Sequence, residues 1–82
     1  MIFLIEYDRP RGQLVTFKVF DDPDRVTAEN ARLEMELDLH RRGIEHEVVL
    51  LEASSVEALR RTHRRYFETP GEILKSTLNL TE

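Results

Sequence analysis

Four arginines within six residues, Arg60, Arg61, Arg64 and Arg65, form the densest cluster of charge in the sequence. A guanidinium presents a planar fork of donors that matches phosphate or carboxylate, so the pattern fits an acidic protein, a phosphorylated partner or a nucleic acid. It equally fits a solvated helix face, with Glu57 pairing to Arg61 four residues on and cations near the negative helix end, each contact worth roughly 0.3–0.5 kcal/mol. A third reading sets the arginines against the acidic stripe of another copy, around Glu29 and Glu36. Base stacking needs exposed aromatics beside the arginines, whereas Tyr66 and Phe67 fall on the buried side of the same predicted helix.

Three histidines, His40, His46 and His63, raise the question of a metal. His40 closes the first predicted helix and His46 opens the third predicted strand, so those two come near each other. A helix folding back along that strand returns about 13 Å by His63, while His46 lies about 23 Å in the same direction, and the mismatch argues against a three-histidine set. His46 makes no acid–base pair with Glu45 or Glu47, because successive strand residues face opposite sides. The absence of cysteine removes disulfides, thiolate zinc sites and thiol nucleophiles. There is no glycine-rich phosphate loop and no nucleophile elbow, and Asn79-Leu80-Thr81 matches the glycosylation acceptor pattern without a secretory signal ahead of it. The expectation is a protein with no catalytic residue, no metal and no cofactor.

The elements that would position these groups follow from pattern and composition. The chain has 82 residues, 40% apolar and 34% charged, the balance of one small folded domain. No apolar run approaches the ~18–20 residues of a membrane helix, and the expected setting is cytoplasmic. Net charge is −4, with five basic and nine acidic residues in 1–40 against seven of each in 41–82, so any attraction to phosphate has to be local.

Ile2 to Tyr7 is apolar on both faces over its first four positions, the signature of a central strand. Asp8 to Gly12 supplies a hairpin connection, and Leu14 to Phe20 forms a second strand with Val15, Phe17 and Val19 on one face. Asp22 as N-cap and Pro23 at the first helical position start a helix that runs to Arg42, with Gly43 at the left-handed position beyond it. Leu33, Met35, Leu37 and Leu39 alternate with acidic residues as a strand would, but residues 28–42 lack β-branched and aromatic types, which decides for helix. Glu45 to Glu52 is the third strand. Ser54-x-x-Glu57 reads as a capping box for a second helix whose apolar stripe is Val56, Leu59, Tyr66 and Phe67 and which Thr69-Pro70-Gly71 stops.

The predicted fold is α+β in the order β-β-α-β-α, a two-layer sandwich with a three-stranded, mainly antiparallel sheet in the order 2-1-3. Its domain spans 1–71, followed by a C-terminal arm, 72–82, that docks on a partner or stays unfolded. On the first helix, apolar residues fall into two stripes on opposite sides, Val26, Leu33 and Leu37 against Ala28, Ala31, Met35 and Leu39. One stripe packs on the sheet; the other meets the second helix or another chain. For so small a core, self-association is the leading expectation: a non-catalytic interaction or regulatory module forming a homodimer, with Met35 and Leu39 on the helix and Ile73, Leu74 and Leu78 in the arm as contact residues. The arginines are the contact residues for the alternative, an acidic or nucleic-acid partner.

Overall fold

The computed structural model describes residues 1–68. Its elements are β1 (Ile2–Asp8), β2 (Gln13–Phe20), a 3-10 turn (Asp22–Asp24), α1 (Arg25–Arg41), β3 (Glu47–Glu52), α2 (Val56–Thr62) and a second 3-10 turn (Arg64–Tyr66). The order is the α+β arrangement expected, a three-stranded sheet in which β2 and β3 flank β1 and each runs antiparallel to it. The predicted arm, with Ile73, Leu74 and Leu78, lies outside the described residues.

β1 is buried from Ile2 to Tyr7 because it is covered twice. Phe3, Ile5 and Tyr7 point to one face and meet Leu59 of α2 and Tyr66 beyond it. Ile2, Leu4 and Glu6 alternate to the other face, where Leu4 and Glu6 lie beside Ala31, Met35 and Leu39 of α1. One helix therefore serves each face. Fully burying a side chain such as Phe3, Leu4 or Ile5 contributes about 1.5–3 kcal/mol, so this strand carries much of the driving force for folding.

Boundaries differ from the sequence pattern for identifiable reasons. The carboxylate of Asp22 accepts a hydrogen bond from the amino group of Met1 at 2.7 Å rather than capping a helix, and the chain makes a 3-10 turn before α1 begins at Arg25. Its end is as expected, one residue earlier: Gly43 has φ of +67°, its N–H bonds to the His40 carbonyl at 3.1 Å, and Ile44 N–H bonds to the Leu39 carbonyl at 2.9 Å. That paired closure is the Schellman arrangement. Ser55, not Ser54, caps α2, its hydroxyl accepting from Ala58 N–H at 3.0 Å. Ala53 N–H is engaged by the Met1 carbonyl, which carries strand pairing one residue past β3 and delays the turn.

Two larger departures shape the surface. Between Glu6 and Tyr7 the β1–β2 register shifts, so Tyr7 pairs with Leu14 and Val15 is the extra residue of a bulge. Leu14 therefore joins Phe17 against the core, and Val15, grouped with Phe17 by simple alternation, is exposed. The second helix also stops at Thr62 instead of running to Phe67. The Thr62 hydroxyl bonds back to the Ala58 and Leu59 carbonyls, His63 leaves helical geometry, and Tyr66 turns under the sheet to meet Tyr7 edge-on at 5.2 Å between ring centroids.

Leu59 is the one fully buried side chain that α2 supplies. Leu59→Ala is expected to cost about 2–5 kcal/mol in urea denaturation; a loss under about 1 kcal/mol would show that α2 is not packed on this face.

Candidate functional site

The arginine cluster is divided by the break at His63: Arg60 and Arg61 belong to α2, Arg64 and Arg65 to the turn after it. Arg65 donates to both oxygens of Glu47, at 2.8 and 3.0 Å, and to the Tyr66 hydroxyl at 2.6 Å, with its guanidinium 4.5 Å from the Tyr66 ring centroid. Arg64 donates to Glu68 at 3.0 Å. Arg60 lies over the Phe67 ring at 5.3 Å. Arg61 is exposed and, among the described residues, forms no ion pair; its expected contact with Glu57 is not made. Among the described residues, two of the four positive charges, those of Arg64 and Arg65, are thus offset by carboxylates of this chain.

Burial raises the Glu47 carboxyl, but hydrogen bonding with Arg65 and Tyr66 and the charges of Arg65 and Arg9 outweigh it and hold the group below its ordinary value. The Tyr66 phenol is pushed up, by burial first and then by the neighbouring carboxylate. A carboxyl whose folded value is depressed adds stability that is present above the unfolded value, about 4.3, and is lost as pH falls through the lower folded one. Glu47→Gln is accordingly expected to lower the melting temperature at neutral pH and to flatten its decline on acidification below about pH 4.3. Identical pH profiles for the two proteins would remove Glu47 as the tie between β3 and the turn.

His46 has partners that pattern did not suggest. Its Nδ1 is 2.6 Å from Glu6 Oε2, and its Nε2 is 3.6 Å from Asp8 Oδ2. Glu6 is 8% exposed, and its other oxygen accepts from the Thr16 hydroxyl at 2.8 Å. Asp8 accepts from the Arg11 N–H at 3.2 Å. A polar ladder therefore crosses the sheet, Thr16 on β2 to Glu6 on β1 to His46 ahead of β3, and the bulge at Val15 sits where Thr16 meets Glu6. The available signal was the spacing Glu6-x-Asp8, which puts two carboxylates on one face of a strand; which residue stands opposite depends on register. Both ring nitrogens face this chain's own carboxylates, so the arrangement ties the two neighbours of β1 to it.

Beside the ladder lies a shallow pocket of ≈ 220 Å³ lined by Glu36, Leu39, His40, Ile44, His46 and Val48. Among the described residues no group of three or more His, Asp or Glu is placed to hold a metal ion. His46→Ala removes a partner from the buried Glu6 carboxylate, and the expected cost in chemical denaturation is about 1–3 kcal/mol. A change within about 0.5 kcal/mol would mean that solvent already satisfies Glu6.

On α1 the two apolar stripes take definite roles. Ala28 and Leu39 are buried, and Ala31 and Met35 are half-buried against the sheet. Met35 and Leu39, expected as contact residues, thus lie on the stripe that faces the chain's own β-strands. The outward stripe is Val26, Leu33 and Leu37, which are 69%, 53% and 45% exposed. α2 lies across the sheet from it and covers none of it. Asn30 and His40 fill the intervening positions, so Val26, Asn30, Leu33, Leu37 and His40 advance in alternating steps of four and three residues. That is the spacing by which one helix presents a seam to another. Along one flank run Arg25, Glu29, Arg32 and Glu36, paired in sequence at 3.9 and 3.7 Å, and Arg25 also contacts Glu52 of β3.

Comparison of the chain with protein families, with curated proteins and with solved structures found no match. Among the described residues no helix is long and apolar enough to cross a membrane.

Proposed function

We propose that this protein is a non-catalytic interaction module that pairs with a second copy of itself through the outward face of α1. The observation that carries the reading is the exposed seam of Val26, Leu33 and Leu37 on a 17-residue helix whose opposite face is already buried. A helix of that length is about 25 Å long, and an isolated apolar stripe along it gains by meeting another. Charge favours a second copy as the occupant. Arg25, Glu29, Arg32 and Glu36 alternate in sign, so a copy lying antiparallel sets Arg25 beside Glu36 of the partner subunit and Glu29 beside Arg32 of the partner subunit. The intrahelical pairs they now form are exposed and worth at most about 1 kcal/mol, which leaves them free to exchange partners. A nucleic-acid or acidic partner at the arginine cluster has less support, because Arg64 and Arg65 already hold carboxylates and Arg60 lies over Phe67.

Light scattering at about 100 µM is expected to give twice the 9.7 kDa chain mass. Leu33→Glu with Leu37→Glu is expected to return a monomer with unchanged circular dichroism, since both side chains are about half exposed and neither belongs to the buried core. A monomeric mass for the unsubstituted protein overturns the proposal.

A further inference from the structure

The two outer strands of the sheet present different edges. β2 has the bulge at Val15, whereas β3 pairs with β1 without a shift from Glu47 to Glu52, and its central residues, Val48 to Leu51, are apolar. Ala53 N–H bonds to the Met1 carbonyl, so Leu51, Val49 and Glu47, in step with it by twos, turn their backbone groups towards β1. Val48, Leu50 and Glu52 turn theirs outwards, where none of the described residues forms a further strand. A regular apolar edge of this kind is a template for another strand. α1 leans over the same edge: Arg25 contacts Glu52, Glu29 and Arg32 flank a groove that ends at Leu50, and Glu36 stands near Val48.

From these observations we infer that the β3 edges of two copies pair antiparallel about a two-fold axis at Leu50, joining both three-stranded sheets into one. The inference rests on the reading that the partner is a second copy, and it names the edge by which that copy joins. An axis at Leu50 sets Leu50 against the partner's Leu50 and Val48 against Glu52 of the partner subunit, the two-fold register in which every outward residue of each copy exchanges hydrogen bonds. α1 selects a second copy as the occupant. Its alternating charges, Arg25, Glu29, Arg32 and Glu36, reverse in sign about a midpoint between Asn30 and Ala31, and the groove places Asn30 beside Leu50. The axis that pairs the strands therefore also brings opposite charges of the two α1 flanks together. Spacing agrees. With strands about 4.8 Å apart, β3 and β1 lie about 2.4 and 7 Å from the axis. α1 packs on both strands, which sets the two helices about 10 Å apart, the separation of packed helices.

The test uses the full-length protein in a sample that mixes differently labelled chains. Nuclear Overhauser contacts are expected between the α-proton of Val49 and that of the partner's Leu51, which face each other in this register. The amides of Val48, Leu50 and Glu52 are expected to exchange at least about tenfold more slowly at about 100 µM than at about 1 µM. Leu50→Pro removes the central outward donor at an edge position that accepts proline, and it is expected to weaken pairing by at least about tenfold. The contacts in the unsubstituted protein do not depend on how that variant folds. A dimer without them overturns the inference and leaves pairing through α1 standing. Contacts that persist in Leu33→Glu with Leu37→Glu overturn pairing through the outward face of α1 and leave this inference standing. A monomer overturns both.

Discussion

One strand buried on both faces governs this molecule. β1 presents apolar side chains up and down along most of its length, and neither set tolerates water. The described residues offer two α-helices, and the strand takes one on each side. Stacking the two helices on each other is therefore not available, and among the described residues none covers the outer surface of α1. The surplus apolar stripe is the counterpart of a core built around a single strand.

The same strand carries a carboxylate into that core. Among the described residues Glu6 is the one charged side chain that is buried, and an unpartnered charge there would cost about several kcal/mol. Thr16 and His46 meet it from the two neighbouring strands. At the opposite face of the sheet, Glu47 plays a related part by holding Arg65 and steadying the turn that delivers Tyr66 to Tyr7. In a protein of net charge −4, part of the local positive cluster is in this way drawn into the packing of the second face, through Arg65.

Element types and strand order were legible because each depends on a property of the local sequence. A doubly apolar run marks a centre strand, Gly43 closes a helix, and the residue types of 28–42 prefer helix. Contacts that depend on the exact pairing of distant residues were not legible. Val15 leaves the core because of one bulge, which shifts Leu14 into its place. His46 meets Glu6 across forty positions of sequence. The helix after Ser55 breaks at His63, and the turn that follows sets Tyr66 against Tyr7. Met35 and Leu39 fall on the stripe of α1 that meets the sheet, which periodicity alone does not reveal, since it identifies two faces without saying which one is covered.

The bulge at Val15 has a bearing on how the protein behaves in a crowded solution. β2 is an outer strand with one lysine as its sole charge, and a regular strand of that kind is a template on which further strands add without limit. An extra residue in its ladder interrupts the even row of backbone donors and acceptors that such addition requires. Growth edge to edge is thereby discouraged.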